Sequence, residues 1–461
     1  MTAKTEKGFL GILPKVQAPP EWGIEPIPQE HRFLGFLDYF ALWSSLGVGL
    51  LVLLAGTYLV PGLGLGQALL AIIIGTLIGN LLLALAGVVG SDHAIPTMAM
   101  LRPVLGIRGS YLPTIFNLLQ LIGWGAFEVI IMARAADGIT QTVFGFSSYL
   151  LWVFLFSAWC TLLAIGGPLV VVRQWLEKFA VWFVYLISIY LTWYLFSHYD
   201  VGALFRQAGT GELPFWLAVD LVVAMPLSWM PLVADYNRFS KDTSQAFWGT
   251  YLGYFVANVW FYALGALFIL ALKTEDLIHS ILTVTLGVVA LILILVDETD
   301  NAFADIYSAA VSSQNILPRV RQWLLAVIVG LICFFLAATV DIAQYENFLF
   351  LIGSVFSPLF GILAADYFIL RRRHYEVEEL YRPRGSYWYR QGVNGWAVLA
   401  WALGLIVFQV TNPSLVAAYW PVWSEVVPVS LTLLGGSIPS FLAALVLYLV
   451  FNRIAEAVKQ K

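Results

Sequence analysis

The sequence predicts an all-α polytopic membrane protein with twelve transmembrane helices, and its composition and its apolar segments lead to this fold class. Of the 461 residues, 60% are hydrophobic and only 11% are charged, and the mean hydropathy is +0.84. Soluble domains carry about 25% charged residues, so this composition argues against a water-soluble enzyme or a nucleic-acid-binding protein. The apolar segments are each near or above the length that crosses a bilayer core of about 30 Å. They lie near residues 34–60, 66–90, 110–137, 148–168, 178–198, 215–237, 246–272, 278–313, 322–340, 345–370, 394–411 and 431–452.

The basic residues orient these helices. When both termini are placed in the cytoplasm, the 24 Lys and Arg residues all fall on the cytoplasmic side except Arg206, Lys273 and Arg134. Cytoplasmic loops of membrane proteins are enriched in Lys and Arg. The distribution therefore favours a multi-pass protein of the plasma membrane with both termini cytoplasmic. The basic loop at residues 371–393 is expected to contact lipid head groups.

The first and sixth apolar segments each contain residues that interrupt a helix. The first carries the small, flexible run Ser44–Gly49, and the sixth carries Pro226 and Pro231 on either side of Leu227–Met230. Glycine permits unwound backbone, and proline removes a backbone donor. Breaks at corresponding positions of two five-helix halves are typical of secondary transporters built from inverted repeats, which bind substrate between the halves. Ordinary kinks and small-residue packing contacts are the alternative interpretation.

The segments therefore predict two inverted repeats followed by a C-terminal pair of helices. The expected boundaries are 1–33 for a cytoplasmic N-terminal segment, 34–198 for the first repeat, 215–370 for the second, 371–393 for the basic loop, 394–453 for the last two helices and 454–461 for a cytoplasmic tail.

Four carboxylates interrupt the eighth apolar segment between residues 297 and 305. Each costs about 2.5–3.5 kcal/mol in the bilayer centre on insertion scales, so the group requires a compensating partner. Helical spacing places four residues of this stretch on one face, and these are Asp297, Asp300, Asn301 and Asp305. Their oxygen atoms suit a monovalent cation or a proton. Alternatively, the segment consists of two shorter spans, with the acidic residues in a hydrated loop between them.

The third apolar segment carries Gln120, Trp124 and Glu128 at spacing i, i+4 and i+8. All three project from one helix face. An indole that stacks, an amide and a carboxylate that accepts N–H groups together suit a planar nitrogen heterocycle. Glu128 could instead pair with a basic group inside the protein, such as Arg134.

Motifs of enzymes and of redox or metal proteins are not found in the sequence. The five histidines are scattered, and HExxH, GxSxG, phosphate-loop and CxxC patterns are missing. Cys160 and Cys333 both lie inside apolar segments, which supports neither a disulfide framework nor a metal cage. We therefore expect no enzyme activity and no organic cofactor.

Several stretches along nearly the whole chain resemble the nucleobase–cation symporter-1 family, which includes cytosine permeases and hydantoin and allantoin transporters. The clearest stretches are Pro26–Gln29, Gly79–Leu83, Gly106–Pro113 before Gly123-Trp124, Ala234–Phe239, Tyr307–Ala309, and Ala364–Tyr367 followed by Arg371–Arg373. Within the family, Gln120–Trp124 and Pro226–Arg238 look most like the subgroup that is thought to carry hydroxymethylpyrimidine, a thiamine precursor.

The resemblance implies a LeuT-type fold of ten core helices plus two, with Na⁺ or H⁺ as the coupling ion. It places the cation between the break in the first helix and the eighth helix. The implied ligands are backbone oxygens near Ser44 and Gly47, a backbone oxygen at Asp297, and the side chains of Asp300 and Asn301. The family often has hydroxyl residues at the last two positions, so the coupling ion is left open. The expected substrate-binding residues are Gln120, Trp124, Glu128, Ser228, Trp229 and Asp305.

The expected function is cation-coupled import of a nucleobase-like nitrogen heterocycle, with hydroxymethylpyrimidine and cytosine as candidate substrates. The alternatives are a purine, allantoin, hydantoin or amino-acid cargo, or a membrane sensor that transports nothing. We expect a monomer in the lipid bilayer that has no nucleic-acid partner.

Overall fold

The computed structural model describes residues 22–166, 181–274, 276–413, 416, 420, 422–428, 431 and 434–459. In these residues the secondary structure is helical, apart from two isolated β-bridges. The α-helices in chain order are α1 Phe36–Ser45, α2 Leu50–Thr57, α3 Leu65–His93, α4 Thr97–Met100, α5 Arg102–Leu105, α6 Tyr111–Phe144, α7 Tyr149–Gly166, α8 Val181–His198, α9 Val201–Arg206, α10 Phe215–Trp229, α11 Val233–Asn237, α12 Thr243–Leu272, α13 Leu277–Thr283, α14 Gly287–Ser313, α15 Gln322–Ala337, α16 Tyr345–Ala364, α17 Gly395–Thr411, α18 Val422–Val426 and α19 Ser437–Lys459. A π-helix, Ala365–Leu370, continues α16, and short 3₁₀ turns lie at Gln29–His31, Ile342–Gln344 and Val377–Leu380.

Long apolar helices dominate the fold. Seven helices in the described residues are long and apolar enough to cross a membrane, and the bent pair of α1 and α2 makes an eighth. The helices α10, α15 and α17 are apolar but shorter. Large apolar side chains such as Leu119, Phe154, Trp193 and Phe335 are exposed on the outer surface. An apolar surface of this extent is covered by lipid in a membrane protein.

Both predicted helix breaks are present. The axes of α1 and α2 meet at 58°, and residues 230–232, which include Pro231, separate α10 from α11. Pro226 lies inside α10. The first and sixth apolar segments are therefore both interrupted, as their glycine and proline residues predict.

The eighth segment differs from its predicted span. One segment was predicted at 278–313, but the chain forms the short helix α13 and the long helix α14 there. The helix α14 begins at Gly287, directly after Leu286, whose φ is +61°. The acidic residues lie in the middle of α14, and its helix is continuous from Gly287 to Ser313. The acidic residues therefore lie in a helix and not in a hydrated loop.

Helix packing brings the breaks and α14 together. The helix α1 packs along α12, while α3 packs against α10 and α12. On the other side, α14 packs along α6 and α7, and it also contacts α1. The last two long helices, α17 and α19, pack on each other and on α16. The crossing of the first break, α6, α10 and α14 defines the centre of the molecule.

The basic loop at 371–393 is folded onto the helices. Arg371 forms an ion pair with Asp366 at 3.0 Å, and Arg373 forms one with Asp92 at 2.9 Å. These arginines therefore bind protein carboxylates as well as any lipid head groups. The segment boundaries stay predictions, and their parts at residues 1–21, 167–180, 275, 414–415, 417–419, 421, 429–430, 432–433 and 460–461 lie outside the described residues.

Candidate functional site

The break in the first helix exposes backbone groups in the centre of the molecule. The helix α1 ends at Ser45 and α2 begins at Leu50. The Ser44 carbonyl oxygen accepts from the amides of Gly47 at 3.2 Å and Val48 at 3.1 Å, so the last turn of α1 tightens before the chain leaves it. Ser44, Gly47 and Val48 are buried.

A buried carboxylate of α14 holds the start of α2. Glu298 Oε2 accepts a hydrogen bond from the Leu50 amide at 2.8 Å. The first amides of a helix have no partner within the helix, and its positive end favours a carboxylate. Gly49 leaves room for this approach, because a Cβ at this residue would lie 2.9 and 3.0 Å from the two carboxylate oxygens of Glu298 and the carboxylate would have to shift. Glu298 is absent from the set of predicted site residues.

Two further carboxylates of α14 meet the end of α1. The Ser45 hydroxyl lies 2.8 Å from Asp297 Oδ1 and 3.4 Å from Asp300 Oδ2. A hydroxyl has one hydrogen to donate, so it cannot satisfy both carboxylates. Asp297 Oδ2 and Asp300 Oδ1 are buried and have no hydrogen-bond partner among the described residues. The neighbouring Ser44 hydroxyl turns away and donates to the Gly253 carbonyl oxygen at 3.2 Å.

Asn301 completes the contacts between α14 and the break. Its Nδ2 donates to the Val48 carbonyl oxygen at 3.2 Å. Its Oδ1 is buried and, within the described part of the chain, has no partner. Three oxygen atoms without donors, from Asp297, Asp300 and Asn301, therefore lie on α14 beside the unwound backbone. This donor set fits a hard cation.

The described residues contain no group of three or more His, Cys, Asp or Glu side chains that could hold a metal ion by themselves. A divalent cation such as Ca²⁺ takes six to eight oxygen ligands, several of them carboxylates. The mixture of carboxylate, amide and backbone oxygens at the break fits a monovalent cation better than such a cage.

Trp124 lies in an aromatic cluster in the centre of the molecule. Its ring is edge-on to Tyr345, at 5.6 Å between centroids, and to Phe348, at 5.5 Å. Trp124 is 5% exposed. Its Nε1 is buried and has no acceptor among the described residues. The indole therefore presents an unused donor in a closed, largely apolar region.

Gln120 connects α6 to the end of α10. Its Nε2 donates to Asn117 Oδ1 and to the Ser228 carbonyl oxygen, both at 3.0 Å. Its Oε1 is buried without a donor in the described residues. The Ser228 hydroxyl donates to the Met225 carbonyl oxygen at 2.6 Å, within its own helix. Trp229 packs edge-on against Trp43, at 6.3 Å between ring centroids.

Glu128 faces other acids instead of an arginine. Its carboxyl group lies within hydrogen-bonding range of the carboxyl group of Glu298, and Asp305 is also near. Arg134, the alternative partner that the sequence left open, pairs with Asp341 at 3.5 Å on a partly exposed surface. Glu128 Oε2 and Asp305 Oδ2 are buried and lack partners in the described part of the chain.

The structure thus gathers the predicted residues into two neighbouring groups. One group lies between the break and α14 and contains Ser44, Gly47, Asp297, Asp300 and Asn301. The other lies between α6, α10 and α14 and contains Gln120, Trp124, Glu128, Ser228, Trp229 and Asp305. Sequence reasoning missed four residues at these positions, which are Ser45, Glu298, Tyr345 and Phe348. Glu298 could have been predicted from the sequence, because the spacing i, i+3, i+7 places it on the same helix face as Asn301 and Asp305.

A cavity of about 650 Å³ lies further along α6, and the residues of the second group do not line it. Its lining includes Ile131 of α6, three residues beyond Glu128, and Leu54 of α2, and it continues to Arg134, Asp276 and His279. The two helices that contribute Glu128 and Leu50 therefore also contribute to the wall of this cavity.

A bundle of apolar helices with two broken segments around a buried polar site defines a multi-pass membrane transporter. Comparisons with known proteins identify its family. Residues 26–429 match the family described as "Permease for cytosine/purines, uracil, thiamine, allantoin". The chain belongs to this family of nucleobase–cation symporters.

Individual relatives agree with this assignment. The hydantoin permease of Microbacterium maritypicum is 26% identical over 412 residues, which cover 84% of this chain and 83% of the relative. The cytosine permease of Escherichia coli K12 is 25% identical over 444 residues, which cover 94% of this chain and 95% of the relative. Both relatives are permeases and not enzymes.

The fold also matches a solved structure, that of the nucleobase-cation-symport-1 family transporter MHP1 in a closed conformation with bromovinylhydantoin bound. The TM-score is 0.80 at 20% sequence identity, over 95% of this chain and 96% of that one. The predicted LeuT-type fold is confirmed, while the number of twelve membrane-spanning helices stays a prediction.

Proposed function

We propose that this protein is a symporter that imports a nucleobase-like nitrogen heterocycle together with Na⁺ or H⁺. The observation that carries the proposal is a set of buried polar atoms without protein partners, which lie beside an aromatic cluster. They are Gln120 Oε1, Trp124 Nε1, Glu128 Oε2 and Asp305 Oδ2. Buried polar groups that lack partners are costly, so a ligand with complementary donors and acceptors is expected to satisfy them.

The cargo is an aminopyrimidine such as cytosine or hydroxymethylpyrimidine. Three of the four atoms are acceptors, and two belong to carboxyl groups, which favours a ligand edge that donates hydrogen bonds. A planar ring also fits between aromatic side chains such as Trp124, Tyr345 and Phe348. An amino acid or another carboxylate would bring a negative charge to Glu128 and Asp305, which disfavours that alternative.

The coupling ion binds between the first break and α14. Asp300 and Asn301 supply side-chain oxygens, Asp297 supplies a backbone oxygen and its own side chain, and the carbonyl oxygens near Ser44 and Gly47 supply the rest. A bound cation would compensate the charge that Ser45 leaves unpaired. The protein works in the plasma membrane with both termini in the cytoplasm, as the distribution of Lys and Arg indicates.

The experiment is a binding and uptake screen of the purified protein. Thermal shift in nanodiscs would be measured with cytosine, hydroxymethylpyrimidine, uracil, hydantoin and allantoin, each with sodium and with choline, and at several pH values. Uptake of a stabilising ligand into proteoliposomes would then be followed under an imposed Na⁺ or H⁺ gradient. We expect stabilisation by an aminopyrimidine and gradient-driven accumulation.

Two variants make the screen specific. Trp124→Ala removes the central indole, and Trp193→Ala removes an indole of the exposed apolar surface. Loss of binding in the first variant and not in the second supports the site. Failure of every heterocycle to stabilise the parent, or equal binding by the two variants, contradicts the proposal.

A further inference from the structure

Glu298 is a completely buried carboxylate that belongs to neither the proposed cation site nor the proposed substrate site. Its Oε2 accepts from the Leu50 amide, and the Leu51 amide also faces it. Its Oε1 has no hydrogen-bond partner among the described residues. Oε2 therefore holds the start of α2, and Oε1 is free to accept a hydrogen bond from a ligand.

Glu128 is the acidic side chain that contacts Glu298. The two carboxyl groups lie within hydrogen-bonding range, yet Glu128 Oε2 and Glu298 Oε1 both lack a donor in the described part of the chain. Ionised carboxylates only accept hydrogen bonds, so neither residue can satisfy the other. The pair therefore needs either a proton that the two carboxyl groups share or hydrogen-bond donors from outside it.

The surroundings of the pair contain acids and weak acids. The titratable side chains that interact with Glu128 from neighbouring helices are Glu298, Asp305, Cys160, Tyr254 and Tyr345. Among these described neighbours there is no Lys, Arg or His. The described neighbours therefore supply no cation to compensate the pair, and a ligand that brings N–H donors can satisfy it.

We propose that Glu298 is a second substrate-binding carboxylate, which forms with Glu128 a clamp for the donor-bearing edge of an aminopyrimidine. The preferred ligand presents an exocyclic amino group next to a ring nitrogen, as cytosine does; the amino group donates to one carboxylate, and a proton held by the other carboxyl group or by the ring nitrogen completes the second hydrogen bond. This inference rests on the proposed function, since it names the ligand chemistry of the same site. It adds a residue that neither the family resemblance nor the i, i+4, i+8 stripe on α6 includes.

Glu298 also connects the ligand to the broken helix. The same carboxylate that faces Glu128 holds the first amide of α2, and Gly49 lets the backbone approach it closely. A ligand donor that binds Oε1 fixes the orientation of the carboxylate and thereby of the Leu50 contact. Substrate binding should therefore stabilise the first turn of α2, next to the break.

The test is a double-mutant cycle measured by isothermal titration calorimetry. Glu298→Gln keeps the shape and an oxygen for the Leu50 amide, but it turns an N–H group toward the ligand edge. We expect Glu298→Gln and Glu128→Gln each to weaken cytosine binding by about ten- to a hundredfold. The effects should not add in the double variant, because both residues bind one edge. Glu346→Gln, at an exposed position on α16, is the matched control and should bind as the parent does.

Ligand choice separates the clamp from a general structural effect. Uracil presents a ring carbonyl where cytosine presents its amino group, so the variants should weaken uracil binding less than cytosine binding. Unchanged cytosine affinity in Glu298→Gln, or equal losses for cytosine and uracil, overturns the clamp.

A second measurement does not depend on the substrate. Hydrogen–deuterium exchange of peptides that cover residues 48–57 should be faster in Glu298→Ala than in the parent without ligand, because the cap on α2 is lost. Cytosine should slow exchange there in the parent and not in Glu298→Gln. Unchanged exchange in ligand-free Glu298→Ala overturns the link to α2. Failure of all ligands to bind the parent, with the exchange difference intact, contradicts the proposed function and the clamp but leaves the cap on α2 in place.

Discussion

Asp300 is the residue whose substitution tests the candidate cation site most directly. It is completely buried, and its closest described hydrogen-bond partner is the Ser45 hydroxyl at 3.4 Å. That hydroxyl lies nearer to Asp297, at 2.8 Å. Because a serine donates only one hydrogen bond, Asp300 is the less compensated of the two carboxylates. A bound cation is expected to interact with it most strongly.

The expected size of the effect follows from this environment. Asp300→Asn keeps the volume and one carbonyl oxygen but removes the charge. Interactions that involve a charged group contribute about 1.5–3 kcal/mol, which corresponds to about a ten- to hundredfold loss of cation affinity. Two unit charges 4 Å apart interact by about 4 kcal/mol at an effective dielectric constant of about 20, which sets an upper range for the loss.

The assay is a cation titration of the ligand-free protein in nanodiscs. Intrinsic tryptophan fluorescence would be followed against sodium, with choline chloride to hold the ionic strength constant, and the titration would be repeated at several pH values. Asp341→Asn, which removes a carboxylate from an exposed position, is the control for loss of charge as such. A folded Asp300→Asn protein that keeps the sodium and pH dependence of the parent would refute a cation site at this carboxylate.

Three further predictions concern binding and stability. Trp124→Phe should weaken substrate binding by about tenfold, through loss of the Nε1 donor and of stacking area, which calorimetry measures. It should keep most of the thermal stability that Trp124→Ala loses, which thermal unfolding of both variants measures. Asp220→Ala should lower the unfolding temperature without a selective effect on ligand affinity, because this buried carboxylate accepts hydrogen bonds from the backbone that begins α19 and each charge-assisted bond contributes about 1.5–3 kcal/mol. Gly265→Ala should destabilise the protein, because a Cβ there would collide with the Leu53 carbonyl of α2, whereas Gly395→Ala, with open space around it, is the neutral control.

The features that the sequence predicted well are local ones. The interruption at Ser44–Gly49 and the prolines near residue 231 act on their own backbone, so the breaks could be predicted without tertiary information. The stripe of Gln120, Trp124 and Glu128 depends only on the helical period, and the structure keeps all three buried in one long helix. The family resemblance then predicted the fold.

The features that it missed depend on contacts between helices. The contact of the Ser45 hydroxyl with the acids of α14 was not predicted, because the rotation of α1 is set by its packing on α12. The start of α14 at Gly287 follows a leucine with φ +61°, a conformation for which the residue type carries no signal. The sequence likewise could not show that Arg134 forms its ion pair with Asp341 and not with Glu128.

The contacts of α14 suggest why its carboxylates are adjacent to each other in the sequence. The last residue of α1, Ser45, faces Asp297 and Asp300, while the first amide of α2 is held by Glu298. One helix turn therefore contacts both ends of the break, and each end meets a different carboxylate. In the proposed symporter, the cation would neutralise the acids at the end of α1 and the substrate would engage the acid at the start of α2. Both ligands therefore contact the break through the same helix turn, so binding of either one orders backbone that the other also uses, which gives a structural reason for the two to bind together.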